Sequence, residues 1–499
     1  MQAVAVESRG FRRRGALSGV LLAGALALCL PLPRAARAAE PAAPEAPDAA
    51  ARPVEAPKPD AAAAAAADIA ARKSYVIPAL EILGFQILVN RFNYHFGNSK
   101  QDYAVSWSSI KKNLDSGWGT DSDPFKTNQL GHPYQGSMYH GFARSAGLNY
   151  WESLAYTFAG SAVWEIAGET TRPSRNDQIA SGIGGTFLGE ALFRMSNLVL
   201  EKAQDTPTFW REAGAALISP ATGFNRLAFG DRFDQVYPSN DAIHYTRLGM
   251  GVMGTTQNVQ GTSTQLKRNE AQVDFSLDYG LPGSANYGYK RPFDYFTFQG
   301  TASSANVFEN VMTRGMLLGK EYEPRNNFRG IWGLYGSYDY ISPQTYRISS
   351  TALSLGSTAE ARLGRDISLQ GSALAGVGYA AVGTVNGTGD TDYHYGAAPQ
   401  ALLALRLIFG DKASLDVTAR DYFVTRVNAS GRGGHDNIAR ADIAWTMRIH
   451  KEHAITIKYL WNQRNATYPD LGDQTQTRGT FGIFYTLLGH QHFGSADWR

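Results

Sequence analysis

The chain has 499 residues, with 47 Lys and Arg against 44 Asp and Glu and a net charge of +3, a balance that carries no nucleic-acid signal. Its single cysteine, Cys29, excludes an internal disulfide and a thiolate metal site. The 52 glycines, 25 tyrosines, 24 phenylalanines and 9 tryptophans, in a chain only 43% hydrophobic, suit a membrane β-barrel whose strands alternate lipid-facing and lumen-facing residues.

Residues 1–39 read as a secretory signal peptide. Arg12, Arg13 and Arg14 precede the apolar run "ALSGVLLAGALALCLPLP", and Ala36-Arg37-Ala38 fits a small-x-small cleavage site. Export through the Sec pathway is expected. Residues 40–72 are an Ala/Pro-rich linker, too poor in large apolar side chains to offset chain entropy, and predict an extended, disordered segment.

Residues 73–240 predict a helical domain of about three to four helices. "VIPALEILGFQILVNRFNYHF" (76–96) is an amphipathic pattern with Glu81, Gln86, Asn90 and Asn93 along one stripe. Asp121 and Asp123 read as solvated turn residues. The next helix has Pro133 in its first turn and puts His140 and Arg144, four apart, on one face. A helix over about 150–169 carries Ser153, Thr157, Ser161, Glu165 and Glu169 at four-residue spacing, with Trp151, Leu154, Phe158 and Val163 off that stripe. A further helix over about 181–202 has a small ridge, Ser181, Gly185 and Gly189, beside a polar row, Thr186, Glu190 and Arg194. Small residues four apart let helices approach closely. The intervening "TTRPSRND" places Arg172, Ser174, Arg175 and Asp177 at a turn.

Residues 241–499 predict an antiparallel outer-membrane β-barrel of about 12 strands. In "QVDFSLDYG", Val273, Phe275, Leu277 and Tyr279 point one way, and Gln272, Asp274, Ser276 and Asp278 the other. "ARADIAWTMRIH" and "HAITIKYLWNQR" repeat the alternation, and nine more candidate strands lie at 246–257, 293–303, 311–322, 329–340, 346–363, 367–382, 394–409, 413–427 and 475–488. Tyr279, Tyr340, Tyr379 and Trp461 are expected near the membrane interfaces, and inward charges such as Asp416, Arg406 and Lys458 are expected to pair across the lumen. Trp498 is penultimate, so Phe493 is the aromatic expected to close the last strand.

"GHPYQGSMYHGFARSAG" followed by "GSAVWEIAGETTRPSRNDQIASGIGGTFLGEALFR" resembles the signature of domain of unknown function 3943, found in exported bacterial proteins, over roughly residues 105–215. The resemblance picks out His132, Pro133, Gly136, Tyr139, Arg144, Trp164, Glu165, Glu169, Pro173, Ser174, Asp177, Gly189, Glu190 and Arg194. It implies an outer-membrane-associated protein and no particular reaction.

Two chemistries compete for these side chains. His132, Arg144, Glu165, Glu169, Asp177 and Glu190 form a candidate catalytic cluster, in which like-charged carboxylates raise one another's pKa beside a histidine able to move a proton. His140, Ser174 and Arg194 are candidate binding residues, an arginine being suited to holding phosphate or carboxylate bidentately. The competing architecture is one buried ion-pair network over three helices, with Arg144 and Arg194 against Glu165, Glu169 and Glu190, one negative charge in excess. No H-E-x-x-H spacing or Gly-x-Ser-x-Gly elbow is present, and neither a metal nor another cofactor is expected. The expected function is therefore an outer-membrane barrel protein with a structural, lipid-binding or transport role, its helical domain in or beside the barrel. An envelope-lipid or glycan hydrolase or transferase is the alternative. Expected partners are outer-membrane lipid and the barrel-assembly machinery, and the helical domain is expected to be periplasmic or inside the barrel.

Overall fold

A computed structural model describes residues 71–489 and 493–495, except 98, 202–206, 241, 259–264, 284–286, 344–345, 384–389, 426–433 and 469–471. The signal at 1–39, nearly all of the 40–72 linker, His490 with His492, and Trp498 lie outside the described residues.

Twelve antiparallel strands close into a barrel. They are β1 (His244–Asn258), β2 (Gln265–Tyr279), β3 (Phe296–Ser303), β4 (Asn310–Arg325), β5 (Phe328–Ile341), β6 (Arg347–Arg362), β7 (Ile367–Gly383), β8 (Tyr393–Phe409), β9 (Ala413–Thr425), β10 (His435–His450), β11 (His453–Tyr468) and β12 (Gly472–Leu488). Each segment expected from period-two alternation is one of these strands. Gly249 of β1 pairs with Thr486 of β12, which closes the ring and leaves no edge to template aggregation.

Alternation separates two chemistries. Trp332 of β5 is exposed on the outside, while Asp339 of the same strand points inward, where Tyr422 Oη of β9 donates to it at 2.9 Å. The expected cross-lumen pairing is present: Arg247 of β1 holds Asp416 of β9 (2.9 Å) and Lys458 of β11 holds Asp274 of β2 (2.7 Å), while Arg406 holds Asp416 from the neighbouring strand (2.6 Å). Two inward apolar layers accompany these charges. One contains Tyr335, Leu374, Leu402 and Phe493, and the other Met312, Ile348, Tyr422 and Val424. The charged residues line a cavity of about 170 Å³.

The two rims differ. One receives the chain at Ile243 and carries the turns 326–327, 363–366, 410–412 and 451–452 together with the long β2–β3 connection; the other carries loops such as 304–309.

The helical region has more helices than the three or four expected. The four long ones were legible: α1 (Val76–Phe96), α3 (His132–Ser145), α4 (Tyr150–Ala167) and α6 (Gly185–Glu201). The added ones are short: α2 (Trp107–Asp115), α5 (Arg175–Ile179), α7 (Phe209–Ile218) and α8 (Pro220–Phe229). Their eight-to-ten-residue or shorter spans give too few turns for a clear apolar period. Single wide turns, at Thr127–Gly131 and Ala180–Gly184, lead into α3 and α6.

These helices pack beside the barrel, against side chains on the outside of its wall. Phe275, Leu277 and Tyr279 of β2, Phe296 of β3 and Tyr338 and Tyr340 of β5 are buried under Phe125, Phe187, Leu188 and Leu192. Tyr338 Oη donates to the Gln129 carbonyl, and the Asn176 amide donates to Tyr395 Oη on β8 at 2.8 Å. Tyr279, Tyr340 and Tyr379 are therefore packing residues beneath or beside helices rather than a free aromatic girdle.

Candidate functional site

The nine candidate side chains separate into two clusters, one toward each end of the helical bundle. The close approach of α3 and α6 makes both. A Cβ on Gly136 would run into the Ser181 carbonyl, and one on Gly189 would meet His140 Cβ at 2.8 Å. The ridge of small residues thus brings two polar rows face to face.

The first cluster lies toward the short-turn rim. Glu190 is fully buried and accepts from three residues: His140 Nε2 (3.0 Å) and Arg144 Nε (2.7 Å) on one oxygen, and Arg194 Nε (2.8 Å) with Arg144 Nη2 (3.3 Å) on the other. Arg144 Nη1 also caps the carbonyl of Leu148 at 2.6 Å. Arg194 reaches out of the helical domain to Asp294 Oδ1 (3.2 Å) and the Pro292 carbonyl (2.8 Å), both in the β2–β3 connection. The Tyr237 ring lies 4.8 Å from the Arg144 guanidinium and 5.4 Å from that of Arg194. Asp294 also holds Arg291, half-buried at the edge of the cluster, at 3.2 Å, so three arginines meet the two carboxylates Glu190 and Asp294. Asp294 and Tyr237 were missed at the sequence level.

The second cluster lies toward the long-loop rim and is acidic. Glu165 accepts the Ser174 backbone N–H at 2.8 Å, and Ser174 Oγ caps α5 by accepting from Asp177 N at 3.3 Å while donating to Asn176 at 2.6 Å. His132 faces Asp177 at 3.9 Å and Ser181 Oγ at 3.3 Å. Asp121 is no free turn residue: its Oδ1 accepts from Asn128 (2.6 Å) and Asn176 (2.8 Å). Glu169 departs from the expected stripe because α4 stops at Ala167; past that end it accepts from Trp164 Nε1 (2.7 Å) and Thr171 (3.0 Å). The excess negative charge expected from the sequence falls in this cluster, where Glu165, Glu169 and Asp177 are gathered at one end of the bundle with His132 beside Asp177. Among the described residues, no group of three or more His, Asp or Glu has an arrangement able to hold a metal ion.

Comparison with known proteins bears on the helical region first. Residues 117–221 match the model of the domain of unknown function DUF3943. This DUF3943 segment runs from before α3 to the start of α8 and contains every candidate residue, Asp294 being contributed by the barrel. No curated protein matches the chain. Among solved structures, the NanC porin matches at 8% identity with a TM-score of 0.23, over 47% of this chain and 98% of its own. The translocator domain of the autotransporter NalP from Neisseria meningitidis matches at 12% identity with a TM-score of 0.21, over 48% and 88%. The Pseudomonas putida toluene transporter TodX matches at 10% identity with a TM-score of 0.19, over 49% and 89%.

Proposed function

We propose that the chain is a structural protein of the bacterial outer membrane, a closed barrel to which the DUF3943 helices are fastened by a buried ion-pair knot. Its short-turn rim and chain entry face the periplasm, the arrangement usual for bacterial outer-membrane barrels. The observation that carries this reading is the saturation of Glu190. Both carboxylate oxygens are occupied by three donor residues, the side chain has no solvent exposure, and one of those donors continues into the barrel at Asp294. A general acid or base needs a free lone pair or proton facing a substrate, and Glu190 offers neither.

A deletion strain complemented by the parent or by Glu165→Gln tests the reading. Mass spectra of envelope lipids are expected to be the same for both complements, since Glu165 is buried and accepts a backbone N–H within the bundle. A lipid or lipopolysaccharide species that returns with the parent but not with Glu165→Gln would overturn the structural role and establish an envelope-lipid enzyme.

A further inference from the structure

The helical bundle is amphipathic in the sense opposite to that of a water-soluble domain. Its polar side chains point inward: Gln86 donates to the Gly160 carbonyl at 2.6 Å, Asn90 donates to that of Gly168 at 2.8 Å, and Ser153, Thr157 and Glu165 are buried. Its outward faces are apolar. From Val76 to Leu88 of α1, the exposed positions are Val76, Leu80, Leu83, Gly84, Ile87 and Leu88, with Ile87 and Leu88 about two-thirds exposed at 65% and 66%. On α4 they are Trp151, Ala155, Phe158, Ala159 and Val163. A contiguous apolar surface of this kind marks an interface.

Three observations identify the occupant. First, the helices run the height of the wall: Gln129 and Asn176 meet β5 and β8 near the long-loop rim, and Arg194 meets the β2–β3 connection at the other. Second, charge brackets the apolar face, with Lys73 paired to Glu152 at 2.6 Å below it and Arg91 and His95 exposed above it. The stretch Val76–Asn90 between them rises roughly 21 Å at the α-helical pitch, close to the ~25 Å apolar band of outer-membrane barrels. Third, the rest of the wall exposes the same chemistry: Trp445 of β10, Ile457 of β11 and Ile483 of β12 point outward at 37%, 44% and 49% exposure. Among the described residues no helix is long and apolar enough to cross a membrane alone. Here none has to, because the barrel satisfies the inner face.

We propose that the helical bundle lies within the bilayer beside the barrel, α1 and the DUF3943 helix α4 facing lipid acyl chains. This rests on the reading of the wall as a membrane barrel. The test uses the full chain with Cys29→Ser, carrying one new cysteine labelled with an environment-sensitive fluorophore at Ile87→Cys, Phe158→Cys, Ile457→Cys or Lys111→Cys. Each is folded into phosphatidylcholine vesicles with plain or acyl-brominated chains. Labels at 87 and 158 are expected to lose fluorescence to brominated lipid as the label at 457 does, while the label at 111, on the polar helix α2, responds to aqueous iodide. Iodide quenching at 87 and 158, with bromolipid quenching kept at 457, overturns the inference and leaves the barrel reading standing. Quenching by neither agent at 87 and 158 also overturns it, and assigns the face to a second protein copy. Loss of bromolipid quenching at 457 removes the barrel reading and the inference together.

Discussion

Glu190 and Glu165 are buried carboxylates in separate clusters, and their surroundings make opposite demands. Glu190→Gln leaves two buried arginines with one remaining carboxylate, Asp294. Removing one partner of a buried ion pair costs about 3–5 kcal/mol, and denaturant unfolding of the detergent-folded protein is expected to show a destabilisation of that order. Glu165 accepts the Ser174 backbone N–H and no arginine contact is needed to hold it, so Glu165→Gln keeps an acceptor in place and is expected to cost no more than about 1 kcal/mol in the same unfolding experiment. A loss as large as that of Glu190→Gln would show that the fold needs the Glu165 charge. Which carboxylate belonged to which cluster was not legible in the sequence. Glu190 is completed by Asp294, about a hundred positions later in a barrel connection, and no spacing rule links a helix to a loop of another unit.

The four-residue rows, by contrast, were legible, because a helix turns any such row into a face. Ser181, Gly185 and Gly189 line the contact with α3, as that spacing implied, and Glu165 sits on the buried stripe. Glu169 left the stripe because α4 ends two residues before it, and helix ends are where sequence spacing is weakest. Two glycines separate packing from propensity. A methyl on Gly136 has only the Ser181 backbone to push against, so Gly136→Ala must part α3 from α6 and is expected to lower the yield of folded protein sharply. Gly84, on the open face of α1, has nothing within 4 Å. Gly84→Ala is expected to be neutral or to stabilise by up to about 1 kcal/mol through helix propensity. A large loss at Gly84, read in the same unfolding experiment, would show that the α1 face is covered by something that needs the space.

At the scale of the whole molecule, alternation gave the strands and the ring, because inward charges and outward apolar residues must repeat every second position. It left open what covers each outward residue. Tyr279, Tyr338 and Tyr340 carry the aromatic character of a lipid girdle yet lie under helices, and a period of two is the same for either neighbour. The lumen makes the final demand. Asp339 is bridged to Tyr422 across it, Tyr346 Oη donates to Asn462 of β11 at 2.7 Å, and two apolar layers fill part of it. Bonds between facing walls and apolar side chains between them obstruct a water path. In planar bilayers the parent is expected to give no stepwise current. Tyr346→Ala combined with Tyr422→Ala removes two large rings and two cross-lumen bonds from the layer nearer the long loops, while the Leu374 and Leu402 layer remains. That variant should therefore stay closed, and opening is expected only when Tyr335→Ala and Leu402→Ala are added. Stepwise current from the parent would mean that the layers part in the membrane, and would return the protein to the class of channels.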